Sequence, residues 1–174
     1  GNSLVDDKNI DKNLAFSWSD SFPDIINKGG FDIVIGNPPY VFTREVDFTD
    51  KFKEYIANNY LNAKDSVSKS HARQSGKINL YSLFLIKSRD LLKEEGVISF
   101  IIPNNLLRTT TYDIVRKTLL DNFEIAEIVD MGTGVFEGVT ASTINIKMRK
   151  NSNEESRNKN LVEIIPNFNN VKKK

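Results

Sequence analysis

The chain of 174 residues contains no cysteine, one histidine and one tryptophan. Without cysteine it has neither disulfide bridges nor zinc sites built from thiolates. The single histidine, His71, stands in a polar stretch without a second histidine to share a metal ion, and we expect a solvated loop residue there. The sequence therefore predicts no metal site.

Long apolar runs and an excess of one charge are also missing. No stretch approaches the roughly 20 apolar residues of a membrane-spanning helix, so we expect a cytoplasmic globular protein, and the length suggests one domain. The 24 Lys and Arg residues balance 23 Asp and Glu, for a formal net charge of +1. The overall charge gives no support to DNA binding, and a DNA-facing surface would have to be a local patch.

The most informative segment is Asn37-Pro38-Pro39-Tyr40, which follows the short apolar run 31–36. That run predicts a strand buried on both faces of a parallel sheet, and open α/β sheets bind ligands at the carboxyl ends of their strands. Because two prolines fix the backbone and remove two N–H donors, the turn presents carbonyl oxygens, an amide and an aromatic ring. Such a set can grip a planar group through its exocyclic NH2. The alternative is a proline-rich turn with a packed tyrosine.

Asn-Pro-Pro-Tyr after a strand resembles the catalytic motif of amino-methyltransferases, which transfer a methyl group from S-adenosylmethionine to an exocyclic or amide nitrogen. Over residues 1–150 the chain is most similar to the N6-adenine DNA methyltransferases of restriction–modification systems, and especially to the methylase part of fused type IIG enzymes. The other segments that carry the resemblance are, in chain order, Gly1-Asn2-Ser3-Leu4, residues 29–36, residues 77–81, residues 96–104, Glu127-Ile128-Val129-Asp130 and Val135-Phe136.

The resemblance implies an α/β fold, the carboxyl-terminal half of a Rossmann-like S-adenosylmethionine-dependent methyltransferase, with a mostly parallel sheet and one antiparallel strand. The implied catalytic residues are Asn37, Pro38, Pro39 and Tyr40. In this scheme the Asn37 side chain and the Pro38 carbonyl accept the two N6 hydrogens of an adenine, and Tyr40 stacks on its ring. The sulfonium methyl group is already activated, so neither a metal nor a covalent intermediate is implied.

Further site residues follow from the resemblance with less specific signals. Asn2 and Asn37 are expected to contact S-adenosylmethionine, although residues 1–3 could equally be a tag remnant. Asn104 is a weak candidate for substrate binding and could equally be one of a turn-forming pair. Met148 is also a weak candidate for substrate binding, but it stands where the family often has an aromatic residue, which puts a second stacking contact in doubt.

The implied partner is double-stranded DNA from which the target adenine is flipped, with a nuclease and a DNA-recognition domain fused elsewhere. Because the family's cofactor motif precedes the Asn-Pro-Pro-Tyr strand, we expect 1–150 to be a partial catalytic domain that alone is inactive, and 151–174 a polar linker with the start of a following segment. Its sheet could expose an edge strand that pairs with another copy.

Hydrophobic periodicity predicts the remaining elements. Asn79 is expected to cap a helix that Gly96 ends, and the alternation in 141–150 predicts a half-exposed, antiparallel strand. We expect strands 31–36 and 97–102 to be parallel neighbours with buried side chains, which brings Asn37 and Asn104 to one edge. The full set comprises a short helix from Asp24, helices at 47–61, 79–95 and 111–120, strands at 31–36, 97–102, 124–131, 141–150 and 161–165, and a loop at 62–77.

Two further interpretations stay open. Gly132-Thr133-Gly134 after a strand is read as a late loop near the base pocket, with a permuted cofactor loop as the alternative. The function could also be that of a protein glutamine N-methyltransferase, which uses the same motif on an amide, or of a non-catalytic binding module.

Overall fold

The computed structural model describes residues 3–7, 9–10, 15–43, 50–60, 78–136 and 141–166. Asn2, His71, the predicted loop 62–77 and residues 167–174 lie outside these residues. The described elements are α1 (Trp18–Ser21), α2 (Pro23–Asn27), β1 (Phe31–Gly36), α3 (Asp50–Asn59), α4 (Leu80–Leu91), β2 (Leu92–Pro103), two 3-10 turns (Asn104–Leu107 and Thr110–Tyr112), α5 (Asp113–Asn122), β3 (Phe123–Gly132), β4 (Thr143–Lys150), α6 (Glu154–Lys159) and β5 (Glu163–Ile165).

The described strands form one sheet in the order β1-β2-β4-β3-β5. β1 is parallel to β2 and β3 is parallel to β5, whereas β4 is antiparallel to both of its neighbours. This confirms a mostly parallel sheet with one antiparallel strand. The pairing aligns Gly36 with Phe100, so the carboxyl ends of β1 and β2 lie at the same end of the sheet, as predicted for Asn37 and Asn104.

The core lies on one face of the sheet. Alternate residues of β2 and β4 are buried there and join one cluster with the apolar side chains of α4 and α5. Burial of each aliphatic side chain contributes about 1.5–3 kcal/mol to the stability of the fold. Both helices are therefore held in place by packing against this face of the sheet. The sheet residues of the cluster that pair across the two strands are Ile98, Phe100, Ile102, Ile144, Ile146 and Met148.

β1 differs from the strand predicted to be buried on both faces. Val34 packs against the core, but the side chains of Ile33 and Ile35 are 63% and 76% exposed. Successive side chains point to opposite faces, and β1 is the edge strand of the described sheet. The expected burial of Val97 and Ile101 is likewise only partial, because both are on the opposite face of β2 from the core.

The predicted helix 79–95 ends earlier than expected. Its cap is confirmed, since the Asn79 side chain accepts a hydrogen bond from the Tyr81 amide. The helix stops at Leu91, however, and Gly96 lies inside β2 rather than ending a helix. Lys150 Nζ donates to the carbonyls of Arg89 and Leu92, at 2.7 Å each, which satisfies main-chain carbonyls at the carboxyl end of the helix.

The segment after residue 150, predicted as a polar linker, contains the helix α6. Asn153 caps it by accepting from the Ser156 amide. Ser156 Oγ and Asn151 Nδ2 both donate to the buried carboxylate of Glu124 at the start of β3. β5 then pairs with β3, so this segment is attached to the sheet. The domain boundary at residue 150 stays a prediction.

The remaining elements agree with the periodicity. The described helix α3 lies within the predicted range 47–61 and buries Phe52 and Ile56. α5 begins two residues later than predicted, after a 3-10 turn, and β3 and β4 match within two residues. None of the described helices is both long enough and apolar enough to cross a membrane.

Candidate active site

The Asn-Pro-Pro-Tyr turn begins where β1 ends. A Cβ atom at Gly36 would lie 3.2 Å from the Phe100 ring, a tight contact, so the strand packs closely against Phe100 at this point. Beyond the turn, Thr43 N donates to the Ile78 carbonyl and Leu80 N donates to the Val41 carbonyl, each at 2.8 Å. The turn is thus held between the end of β1 and the start of α4.

Tyr40 is fixed in place by three contacts. Its hydroxyl donates to the carbonyl of Ile101 at 2.9 Å, one residue beyond the point where β1 stops pairing with β2. Its ring meets the rings of Tyr81 and Phe136 edge to face, with centroids 6.4 Å apart in both cases. Burial raises the pKa of Tyr40 above its usual value, so the hydroxyl keeps its proton at neutral pH. The hydroxyl and the ring of Tyr40 are therefore both held by neighbouring residues.

Asn37 is the contrasting member of the turn. It is exposed, and its side chain makes no hydrogen bond to another residue of the described part of the chain. Together with Pro38 and Pro39 it lines a groove of about 380 Å³ whose other walls include Trp18, Phe84 and Lys87. An amide at the mouth of a mostly apolar groove is typical of a small-molecule site.

The loop after β3 reaches the same place. Gly132 and Gly134 have φ angles of 71° and 77°, which favour glycine, and Asp130 accepts a hydrogen bond from the Gly132 amide at 2.9 Å. This turn leads to Phe136, whose ring contacts Tyr40. The loop therefore lies beside the predicted base pocket, as the late-loop interpretation expects, and this placement gives no support to a permuted cofactor loop.

The two weaker candidates from the sequence, Asn104 and Met148, lie in different environments. Asn104 is half-buried just after β2, where its main-chain N–H donates to the Ser142 carbonyl at 2.9 Å. Met148 is fully buried in the core, paired opposite Ile98. This placement offers no surface to a base and gives no support to the predicted substrate contact of Met148.

Sequence reasoning did not single out two residues that the structure brings to the turn. Tyr81 is fully buried between Tyr40 and Tyr112, and its hydroxyl donates to Asn105 Oδ1 at 2.7 Å. Tyr81 belongs to the segment 77–81 that carries the resemblance, but Tyr112 has no motif around it that could have marked it. In the described ranges, no three His, Cys, Asp or Glu side chains are grouped so that they could hold a metal ion.

Comparison with solved structures identifies the fold. The chain superposes on a Listeria monocytogenes protein classed as a class I S-adenosylmethionine-dependent methyltransferase, with a TM-score of 0.58 and 17% identity over 80% of this chain and 37% of that one. It also matches LlaBIII, an ATP-dependent Type ISP restriction–modification enzyme bound to DNA, with a TM-score of 0.57 and 16% identity over 84% of this chain and 11% of that one. The fold is the Rossmann-like fold of class I methyltransferases.

Sequence comparison identifies relatives among restriction–modification enzymes. The chain is 30% identical to the type II methyltransferase M.BanIII of Aneurinibacillus aneurinilyticus over 148 residues, which is 83% of this chain and 22% of that protein. It is 27% identical over 158 residues to the type II restriction enzyme and methyltransferase RM.Eco57I of Escherichia coli, covering 88% of this chain and 14% of that protein. The chain thus spans less than a quarter of the length of either relative.

The family assignment rests on most of the chain. Residues 2–136, which include the Asn-Pro-Pro-Tyr turn and Phe136, match the Eco57I restriction–modification methylase family. The matched range ends within the loop that brings Phe136 to Tyr40, so it contains the described candidate site. The chain belongs to the Eco57I restriction–modification methylase family.

Proposed function

We propose that this chain is the target-base half of a site-specific DNA adenine-N6 methyltransferase of a restriction–modification system, acting within a longer cytoplasmic polypeptide. The observation that carries the proposal is the contrast within the turn: Asn37 is exposed and unpaired among the described residues, while Tyr40 is fixed beside it. A polar group left free next to a rigid aromatic wall suits a planar ligand with an NH2 group.

The chemistry required of the turn is charge stabilisation at one nitrogen. The lone pair of adenine N6 is delocalised into the ring, which makes N6 a poor nucleophile. Asn37 Oδ1 and the Pro38 carbonyl, which has no hydrogen-bond partner in the described ranges, would each accept one N6 hydrogen. Two acceptors favour a pyramidal nitrogen and stabilise the positive charge that grows on it, an effect of about 3–4 kcal/mol per preorganised group.

Tyr40 would supply the wall on which the base rests. Stacking of a base on an aromatic side chain is worth about 1–3 kcal/mol. A base inside the duplex cannot reach this turn, so the target adenine would have to be extrahelical. The edge-to-face contacts with Tyr81 and Phe136 hold the Tyr40 ring in a fixed plane.

S-adenosylmethionine fits the proposed site through Asn37. The groove along Asn37, Pro38 and Pro39 is mostly apolar and is about 380 Å³ in volume, so one amide can fix the orientation of a ligand there. When bound, S-adenosylmethionine supplies the methyl group. Of the two predicted cofactor contacts, Asn2 lies outside the described residues and stays a prediction.

Partners beyond DNA are part of the proposal. A fused nuclease and a DNA-recognition domain would belong to the longer polypeptide, in keeping with the type II restriction enzyme and methyltransferase RM.Eco57I among the relatives. The outer edge of β1, with its exposed isoleucines, is where an isolated copy of this chain could pair with another.

The test is Asn37→Ala in the full-length protein. Single-turnover methylation of adenine-containing duplex is expected to fall by about a hundred- to a thousandfold, because one preorganised acceptor is lost. Folding and duplex affinity are expected to stay unchanged, since Asn37 is exposed and unpaired within the described part of the chain. Asn59→Ala, an exposed asparagine on α3, is the control and should keep the normal rate.

Two results would contradict the proposal. A near-normal rate for Asn37→Ala would show that the turn does not bind the N6 amino group of the target adenine. Transfer of the labelled methyl group to a glutamine peptide, with none to DNA, would assign the site to a protein methyltransferase.

A further inference from the structure

Behind Tyr40 lies a buried polar cluster that the methyl-transfer scheme does not use. It consists of Tyr81, Asn105, Tyr112 and the cap residue Asn79. Tyr81 and Tyr112 are almost completely buried, with ring centroids 5.5 Å apart, and Asn79 is buried beside them. Buried polar groups are costly unless they are paired, so a cluster of this size directly under an active-site turn calls for a role.

Tyr81 contacts both halves of the candidate site. Its ring stands at 89° to the ring of Tyr40, at the end of β1. Its hydroxyl donates to Asn105 Oδ1 at 2.7 Å, in the turn that follows β2. The ends of two neighbouring strands are thus joined through one side chain that cannot move without opening the core.

Asn105 in turn holds the backbone beyond β2. Its main-chain carbonyl accepts hydrogen bonds from the main-chain amides of Arg108 and Thr109, at 3.2 and 2.9 Å. Burial raises the pKa of the neighbouring Tyr112, and hydrogen bonding with Tyr81, with the main chain of Asn79 and with Asn105 offsets part of that rise. A displacement of the Asn105 side chain would therefore disturb the turn that carries Asn104.

We propose that Tyr81 is a positioning residue of the base pocket, which sets the plane of Tyr40 with its ring and the position of the Asn104–Leu107 turn with its hydroxyl. This inference rests on the proposed function, because it assigns to Tyr81 the alignment of the two walls that receive the base. Tyr81 itself is buried and would not touch substrate.

The experiment is Tyr81→Phe in the full-length protein, which removes the hydroxyl and keeps the ring against Tyr40. The single-turnover rate of DNA methylation is expected to fall on the order of tenfold, since the Asn105 oxygen loses its buried donor. The KM for S-adenosylmethionine should not change. Fluorescence of 2-aminopurine at the target position should show that the extrahelical base is less well retained.

Thr118→Val is the control. Thr118 is also buried, and its hydroxyl donates to the Ile114 carbonyl at 2.9 Å, within α5. Both variants lose one buried hydrogen bond and should lose similar thermal stability. Only Tyr81→Phe should slow methyl transfer. Equal rates for the two variants would show that Tyr81 has a purely structural role.

A double-mutant cycle with Asn105→Ala tests the route of the effect. If Tyr81 acts through Asn105, the double variant should be no slower than the slower single variant, because both changes remove the same contact. Additive rate losses would overturn the inference while leaving the proposed function intact. An unmodified full-length protein that transfers no methyl group to DNA would overturn both.

Discussion

Substitutions of Tyr40 can separate a loss of stability from a loss of DNA methylation, because its ring and its hydroxyl have different partners. Tyr40→Phe removes one hydrogen bond, to the Ile101 carbonyl, and keeps both ring contacts. The free energy of unfolding should fall by about 0.5–1.5 kcal/mol. Tyr40→Ala also removes the two aromatic pairs, at about 0.5–1.5 kcal/mol each beyond the burial of the ring, so its loss should exceed that of Tyr40→Phe by at least about 1–3 kcal/mol.

The effect on DNA should follow the ring alone. Tyr40→Ala should weaken retention of the extrahelical base by roughly 5- to 150-fold, which corresponds to a stacking energy of about 1–3 kcal/mol. Tyr40→Phe should retain the base nearly as well as the unmodified protein, since the single hydroxyl proton of Tyr40 already binds the Ile101 carbonyl.

Two assays decide the point. Urea unfolding of this chain measures the stability losses, and 2-aminopurine fluorescence with single-turnover methylation in the full-length protein measures the loss at the base. If Tyr40→Phe lost base retention as severely as Tyr40→Ala, the hydroxyl would be the functional group, and the stacking role of the ring would be refuted.

Two further predictions concern stability. In Gly30→Ala the new Cβ would lie 2.4 Å from a main-chain carbonyl oxygen at a φ of 120°, so the free energy of urea unfolding should fall by about 2–5 kcal/mol. Gly134→Ala has a φ of 77° and nothing within 4 Å of the new Cβ, so its free energy of unfolding should fall by only about 1–2 kcal/mol. Equal losses in the two variants would contradict the clash at Gly30. Hydrogen bonds from Ser156 and Arg149 hold the pKa of Glu124 below its ordinary 4.5, so its contribution should be complete above pH 4.5 and be lost as the pH falls through the lowered pKa. Glu124→Gln should therefore cost about 1–3 kcal/mol at pH 7 and much less in acid, and a cost that does not change with pH would contradict the ionic role.

The parts of the fold that the sequence predicted well carry strong local signals. The alternation in 141–150 was enough to predict an antiparallel strand, since a strand covered on one face shows period-two polarity. Asn79 before an apolar helical stripe was enough to predict a cap. The turn 37–40 could be placed at a strand end because prolines directly after an apolar run cannot continue a sheet.

The errors arose where distant partners override local preference. Residues 93–95 have good helix propensity, yet Glu94 accepts from Ser152 and Glu95 pairs with Arg149, both more than fifty positions away. The helix α6 was missed because it has no apolar stripe, although its cap residue and its acidic first turn were visible in the sequence. Tyr81 could not be assigned to the site because nothing local shows that its hydroxyl meets Asn105.

Because β4 lies in the middle of the described sheet, the sheet cannot be completed before β4 has been synthesised. β2 and β3 do not pair with each other, so their alignment waits until residues 143–150 have left the ribosome and filled the gap between them. The pairs that close the gap, such as Phe100 with Ile146, join positions 46 apart in the chain, and such distant contacts form slowly. The last of these pairs, Pro103 with Thr143, adjoins the turn that carries Asn104. The wall of the candidate site on the β2 side is therefore completed only after residues 143–150 have been synthesised.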